Sequence, residues 1–472
     1  MKDFIIYIFL LCIYHSVLFF GKDLGINVLL FILPLLLLIL LLLDHNNKIK
    51  NKKGLWLLIP IIMLSSSYLL YDFTIFNVFN IMVLPILFVL LFVFTLNDKV
   101  KLVIPEACKV IIYPFANIAN LYRLLNTKIS KLLHIKKNTW YKILSVLVVI
   151  PVILLILMLL SSADMIFGHY VSNFFSIFKH LHPENLLGRL IRIFILFTYL
   201  GAVLNYVVFN YKKSKIEATN MKISPFLFKV LLTSLNVIYL VFTIIQIKSL
   251  MLHSISMNIS YAEYARQGFF QLMFISIINF IILFLARYSK DNRYNKVMSI
   301  IMILFTFVII LSSTYRMFMY EDAYGYTLLR LLVYITLFTE IILLIPTILN
   351  VFKKINILRY YFIICLISYS CASVAPLNYI IANRNINRYY ETEDIDLQYL
   401  MNESTDNIPK LLELYDNGDT KIRNDLSKYF IRLHSIKKKS DSFIEFNFSR
   451  ANANRLLSFT EVKLNNKYNN KS

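Results

Sequence analysis

The sequence predicts an all-α fold, a polytopic transmembrane helical bundle of about 11 spans with a small helical extracytoplasmic C-terminal domain. Three observations predict it. Hydrophobic residues make up 58% of the 472 positions and charged residues only 16%, a balance foreign to ordinary soluble domains. The apolar residues fall in long uninterrupted runs that approach or exceed the roughly 17 to 25 residues a helix needs to cross about 30 Å of hydrocarbon. The runs also lack the in/out alternation of a membrane barrel strand, and a helix satisfies its own backbone in lipid.

In chain order the runs cover residues 4–20, 25–43, 55–71, 77–96, 143–160, 187–209, 225–247, 269–286, 297–312, 326–349 and 360–375. The first follows Lys2 and has no small-x-small pattern ahead of Gly21, so it reads as a retained helix and not as a cleaved signal. Pro34, Pro60, Pro85, Pro151 and Pro346 are expected to kink their spans without ending them, because neighbouring helices can satisfy the freed carbonyls.

Orientation follows from positive charge, since short loops rich in Lys and Arg stay cytoplasmic. Lys48 to Lys53, Lys99 to Lys142, Lys212 to Lys222, Arg287 to Lys296 and Lys353 to Arg359 all follow even-numbered runs, whereas the alternate loops hold few basic residues. The N-terminus is therefore expected to be cytoplasmic and the C-terminus extracytoplasmic, in a cell membrane. The net charge of +22 then reports on topology. Its scatter over thin loops gives no single basic face for nucleic acid, and no nucleic-acid partner is expected.

Within the bundle, residues 1–376, the loop 97–142 carries an amphipathic basic stretch: Phe115, Ile118, Tyr122, Leu125, Ile129 and Leu132 recur at helical spacing beside Arg123, Lys128 and Lys131. Such a helix can lie on the anionic inner leaflet or pack beneath the bundle. The lipid bilayer is the expected partner. Cys12, Cys365 and Cys371 sit in spans and Cys108 in a loop, which argues against a disulfide framework. None of the 9 glycines forms a nucleotide loop, and no cofactor is assigned.

Past Pro376 the composition turns polar, and residues 377–464 read as a helical tail domain. Asp406 or Asn407 can cap a helix with Pro409 in its first turn and Gly418 beyond its end. Further helices are expected over 422–436 and 446–459, and a disordered end over 465–472.

Two constellations carry chemistry. Lys229, Thr233, Asn236, Tyr239, Thr243 and Gln246 recur every three or four residues along span seven, which puts them on one helical face. Glu340 lies inside the apolar run of span ten, where an ionised carboxylate costs several kcal/mol unless paired or wet. By depth, Glu340 is expected to meet Thr233 and Asn236, or Lys229, either as interhelical glue or as part of a proton- or ion-coupled path. The second constellation is an outer charged cluster of Asp164, Glu263, Arg266, Arg316, Glu321, Asp322, Arg330, Arg384 and Arg388 near outer span ends. It reads as ion pairs that dock the tail, or as a site for an anionic or zwitterionic envelope ligand. His169, His180 and His182 share the loop of Asp164, but their spacing fits no metal set and no metal is assigned. No catalytic residue is assigned either, as no His-Glu, Ser-His or carboxylate pair stands out.

Several segments carry a resemblance. Ser162, Ala163, Asp164 and Phe167; Leu235, Asn236, Tyr239, Phe242 and Gln246; Tyr261 through Phe269; Arg316 to Tyr320; Gly325 to Arg330; and Ile381 to Arg388 leading into Asp396, Tyr399, Leu400, Asp406 and Pro409 are the segments concerned. They resemble a family of bacterial membrane proteins known as domain of unknown function 4173, related to domain of unknown function 4153. The resemblance spans roughly 161–457 and implies no activity. Gln267 and Asn378 stand where such proteins tend to carry a glutamate and an aspartate, so no carboxylate role is carried over there. Two function classes follow. One is a transporter-like protein with a polar intramembrane path; the other is an envelope signalling or interaction protein that presents the tail to an envelope or membrane protein partner.

Overall fold

A computed structural model describes residues 4–72, 75–97, 103–116, 118, 183–211, 225–246, 269–286, 293–353, 355–436 and 442–469. Span 143–160, the loop stretch beyond residue 118, Asp164, the three histidines, Glu263, Arg266 and Gln267 lie outside the described residues. Every regular element among the described residues is helical.

The helices are α1 (Phe4–Phe19), α2 (Ile26–His45), α3 (Leu58–Leu70), α4 (Ile75–Leu96), α5 (Val103–Ala116), α6 (Pro183–Asn205), α7 (Pro225–Gln246), α8 (Phe269–Leu285), α9 (Arg293–Tyr324), α10 (Leu328–Phe352), α11 (Ile357–Ser373) and α12 (Leu377–Thr392). The tail adds α13 (Leu397–Glu403), α14 (Ile408–Asn417), α15 (Thr420–Ile436) and α16 (Phe448–Asn469). Each apolar run that falls among the described residues has become a helix. Six of these are long and apolar enough to cross a membrane: α2, α3 with the short turn before it, α4, α6 with its π-helical end, α9 and α10. A seventh span arises if α11 and α12, bent by 66° at their break, count as one. Helices α1, α7 and α8 are apolar but shorter over their described parts. Such a set points to a multi-pass membrane protein. Pro34, Pro85 and Pro346 sit inside α2, α4 and α10, and the helices continue through them.

The described chain divides into two compact units. The first holds residues 1–69, 80–218 and 441–446, with a core built from α1, α2, α4, α5 and α6 around Ile8, Cys12, Leu43, Val93 and Val207. The second holds residues 70–79, 219–440 and 447–472. In it α9 packs against α7, α8 and α10, and α10 packs in turn on α11. Met302, Ile309, Ile310, Leu232 and Leu337 fill that core. A second core in the same unit gathers α12, α14, α15 and α16 around Ile381, Leu400, Leu411, Leu426 and Phe430.

Three local expectations change. Span nine does not stop near Ser312, because neither glycine nor proline interrupts the chain before Gly325, and α9 runs 32 residues, about 48 Å. Arg316, Glu321 and Asp322 thus ride on a continuous helix and not in a loop. Asn407 precedes α14 but makes no side-chain cap; its amide donates to the Leu400 carbonyl at 3.0 Å, while Asp406 is held by Ser404. Gly418 ends α14 at a negative φ of −77°, and the glycine is needed because a Cβ would stand 2.6 Å from the Leu414 carbonyl oxygen. Helix α16 continues to Asn469, past the point where disorder is expected, since no glycine or proline follows Phe448.

Candidate functional site

Helix α8 organises the polar interior of the second unit. Its sequence, FFQLMFISIINFIILFL, is apolar except for Gln271, Ser276 and Asn279. Ser276 and Asn279 are three residues apart, so they share one face, and both are fully buried. Asn279 joins two neighbours: it accepts a hydrogen bond from the Tyr239 hydroxyl of α7 at 2.6 Å and donates to Thr306 Oγ1 of α9 at 3.0 Å. Ser276 reaches the third neighbour: its hydroxyl oxygen and Glu340 Oε2 of α10 share a hydrogen bond of 2.6 Å. One short helix therefore ties α7, α9 and α10 together by side chains alone.

Glu340 is 3% exposed, and its Oε1 is buried with no hydrogen-bond partner among the described residues. Ser276 Oγ also lies 2.6 Å from the Met273 carbonyl oxygen. A hydroxyl has one proton to give. Both contacts are satisfied together only when Glu340 carries a proton and donates it to Ser276, which then donates to Met273. An ionised carboxylate here would leave an oxygen bare in a medium where that is costly.

Beside Glu340 lies a cavity of about 340 Å³ between α8, α10 and α11. Ile277, Phe280, Phe284, Leu343 and Leu358 give it an apolar wall. Its other polar neighbours are already bonded: Thr336 to the Leu332 carbonyl, Thr339 to Ile335 and Ser368, and Tyr361 to Thr347 at 2.6 Å.

The span-seven stripe meets α9, and α8 through Tyr239, and not α10 as expected. Thr233 and the Tyr294 hydroxyl share a hydrogen bond of 2.7 Å, Lys229 stands 4.8 Å over the Tyr294 ring, and Asn236 donates to the Met298 carbonyl at 2.9 Å. Thr243 Oγ1 is buried and has no hydrogen-bond partner among the described residues, and the Gln246 side chain lies outside them. The pairing of Glu340 with Thr233, Asn236 or Lys229 is thus replaced by Ser276, because α8 stands beside α10 while α7 lies against α9. Sequence reasoning missed Ser276 and Asn279. The available signal was the one that singled out Glu340, polar residues in the middle of an apolar helix.

Of the outer cluster, Arg330, Arg384, Arg388, Glu321 and Asp322 come together around the end of α9. Gly325 adopts φ +77° and its N–H closes the helix on the Glu321 carbonyl at 2.7 Å. The last carbonyls of a helix lack internal partners and carry partial negative charge. Arg388 donates to the Asp322 and Ala323 carbonyls at 3.1 and 2.9 Å, and Arg330 to the Tyr324 carbonyl at 3.0 Å and to Gly325. Arg330 also lies 4.2 Å over the Tyr320 ring, and Arg384 5.9 Å over that of Tyr326. Glu321, buried, faces the Tyr326 and Tyr334 hydroxyls within electrostatic reach of Arg384 and Arg330. Burial first, and then Glu321, push the Tyr326 phenol up to about 12. Arg388 and Arg330 here cap a helix end, and Arg388 also pairs with the Asp394 carboxylate at 3.1 Å. Arg316 is buried on α9.

A further polar knot was not foreseen. Asp406 accepts from Ser404 at 2.9 Å, from Asn378 at 3.3 Å and from the Asp72 backbone N–H at 3.4 Å. Asp72 in turn accepts from Thr405 at 3.0 Å and pairs with Arg450 at 3.4 Å, and Asn447 donates to the Tyr71 carbonyl at 2.7 Å. The turn between α3 and α4 is thereby bonded to two tail segments, 405–406 and 447–450. Among the described residues no group of His, Cys, Asp and Glu is placed to hold a metal ion.

No curated protein and no solved structure matches the chain. A family model does match, from residue 58 at the start of α3 to residue 414 within α14, well over half of the length. The chain therefore belongs to the family described as domain of unknown function (DUF4153).

Proposed function

We propose that the protein is a transporter-like multi-pass protein of the bacterial cell membrane, in which Glu340 is the intramembrane proton carrier and α8 the hub of the polar path. The observation that carries this reading is the buried carboxyl of Glu340, bonded to Ser276 through one oxygen and unpartnered at the other. An ionisable group in that setting is retained at a cost and marks a functional position by default. Tyr239, Asn279 and Thr306 extend the polar line from α10 side to α7 and α9. Within the family, the segments quoted above favour the narrower kinship with domain of unknown function 4173.

The reading includes eleven spans, a cytoplasmic N-terminus and an extracytoplasmic helical tail from about residue 377. Tail contacts support the parity. Tail residues bond both to the α3–α4 turn, through Asp72, and to the α9–α10 turn, through Tyr326 and Asn385 at 2.8 Å. Two turns that touch one tail lie on one side, which requires an even number of crossings between them. Helices α4, α6, α7, α8 and α9 supply five, and the apolar run 143–160 in the sequence supplies the sixth. A second reading, a protein that presents its tail to an envelope or membrane protein partner, draws on the separate core formed by α12, α14, α15 and α16.

The test is labelling with dicyclohexylcarbodiimide, an apolar reagent that attacks protonated carboxyls, on the full chain in nanodiscs. Glu340 should be modified, less so as pH rises, and Glu340→Gln should lose that adduct by mass spectrometry. Absence of the adduct at every pH from 5 to 9 would reject Glu340 as a proton carrier. Cysteine at Ser440 in a cysteine-free variant should react with an impermeant maleimide on intact cells; reaction only after lysis would reverse the orientation.

A further inference from the structure

The recess between α8, α10 and α11 has the width of a single hydrocarbon chain. Thr339 bonds Ser368 and Thr347 bonds Tyr361, so α10 and α11 run antiparallel, with Leu358 about one turn beyond the level of Thr347. The recess is lined from Leu358, at the start of α11, up to Thr336 on α10. That stretch corresponds to roughly 14 residues of α10, or about 20 Å at about 1.5 Å per residue. A volume of about 340 Å³ spread over that length leaves a cross-section of about 17 Å², a square about 4 Å on a side. Carbon atoms touch at about 3.5 to 4.0 Å, so one file of methylenes fits and a second does not.

The wall demands an apolar occupant. Ile277, Phe280, Ile281, Phe284 and Leu343 line it with carbon. Thr336, Thr339 and Tyr361 turn their hydroxyls to Leu332, Ile335, Ser368 and Thr347, while Glu340 is engaged by Ser276 at Oε2 and buried at Oε1. Ile281 and Leu358, at the rim, are each 53% exposed on the flank of the helices, and in a membrane such a flank faces lipid tails.

At the Leu358 end the character changes. Lys353 and Arg359, both exposed, flank the turn between α10 and α11, and Tyr360 beside them is exposed as well. Basic side chains at a membrane surface attract anionic headgroups by about 1 kcal/mol each, and tyrosine is enriched at the same level. Lipid tails are as apolar as leucine, so burial from water gives this recess no preference for one chain over bulk lipid. Contact on all sides of a narrow slot does, and so do two positive charges at its mouth.

We infer that the recess is a lipid site, which holds one acyl chain of an anionic phospholipid with its phosphate against Lys353 and Arg359. The inference requires that α8, α10 and α11 lie in a bilayer; it is independent of whether Glu340 carries a proton.

The test uses the full chain in phosphatidylcholine nanodiscs that contain phosphatidylglycerol or phosphatidylcholine with a photoreactive diazirine in its acyl chain. Adducts are mapped by mass spectrometry after irradiation. Phe280, Leu343 and Cys365 should take up the phosphatidylglycerol probe several-fold more than Phe338 and Ile345, which are exposed on another face of α10. Unlabelled phosphatidylglycerol should displace the probe saturably and inorganic phosphate should not, which separates a lipid from a free anion. Cys365→Trp should fill the slot and Ile281→Trp should block its rim, each lowering the adducts at Phe280 and Leu343 several-fold with those at Phe338 unchanged. Lys353→Gln combined with Arg359→Gln should abolish the preference for phosphatidylglycerol. Melting curves set aside any variant that fails to fold, and Ile281, being exposed, is the replacement that disturbs packing least. Adducts as dense at Phe338 and Ile345 as in the slot, equal uptake of the two probes, or undiminished labelling of Phe280 and Leu343 in a folded Ile281→Trp would overturn the inference.

Discussion

Ser276 and Glu340 meet across 2.6 Å between α8 and α10, with the Met273 carbonyl on the far side of the same hydroxyl, also at 2.6 Å. The arrangement has room for one more proton than an ionised glutamate supplies. Glutamine presents an amide donor in the same shape, so Glu340→Gln should melt like the parent in detergent. Ser276→Ala should lower stability by about 0.6 kcal/mol, and at most about 1.7, the range of interhelical hydrogen bonds measured in membranes. A large loss of melting temperature in Glu340→Gln, with Ser276→Ala unchanged, would mean that the carboxyl is held by some other group.

Asn279 uses both ends of its amide, whereas Asn236 donates to one carbonyl and leaves Oδ1 unpartnered among the described residues. The two asparagines should therefore respond differently to leucine. Asn279→Leu strands the Tyr239 hydroxyl and removes a partner of Thr306, which costs about 1 to 3 kcal/mol for a buried polar group left unsatisfied. Asn236→Leu removes one bond and one bare oxygen together and should be close to neutral. Chemical denaturation of the two variants in the same detergent checks the order; equal losses would contradict the hub.

How much of this was legible depends on what each residue type reveals by itself. Helix positions followed from apolar runs because lipid forces every backbone group to be satisfied within its own segment. Glu340 was legible because a lone carboxylate in such a run has no cheap explanation. Its partner was not, because depth along a span says how high a residue lies but not which helix stands beside it. Asn236 matched Glu340 in depth and yet faces Met298. The arginines near the end of α9 were legible as a cluster, but their partners are carbonyls at a helix terminus, which a list of charged residues does not contain. Asp72 was passed over since the tail segments that bond it, near Thr405 and Arg450, lie far away in sequence.

Tyr326 gives a pH-dependent readout. Its phenol is pushed up to about 12 by burial and by Glu321, above the unfolded value of about 10. A group raised in the folded state contributes stability that is complete below its unfolded pKa and is lost as pH rises through the folded one. Tyr326→Phe should thus be less stable than the parent at pH 8 to 9, and the difference should shrink between about pH 10 and 12. Melting temperatures of both proteins across that range decide the matter. A difference that stays constant to pH 12 would mean that the phenol does not face Glu321.

The sharpest local prediction concerns Gly325, which closes α9. Its φ of +77° is a left-handed conformation, and a Cβ built there would stand 2.6 Å from Asn385 Oδ1. That oxygen accepts from the Tyr326 N–H at 2.8 Å, while the Asn385 amide donates to the Tyr326 carbonyl at 2.8 Å. Alanine would pay the left-handed strain of roughly 1 to 2 kcal/mol and also displace a side chain engaged at both ends. Gly21 supplies the control, with φ +65° and nothing within 4 Å of its would-be Cβ, so Gly21→Ala meets the backbone cost alone. Gly325→Ala should therefore exceed Gly21→Ala by about 1 kcal/mol or more, the cost of hydrogen bonds lost at a part-buried turn. It should also loosen the grip of Arg388 and Arg330 on the end of α9, which makes the turn an earlier site of proteolysis. Equal destabilisation by the two substitutions, with no change in cleavage at the turn, would remove Asn385 from the account of how the helix is stopped.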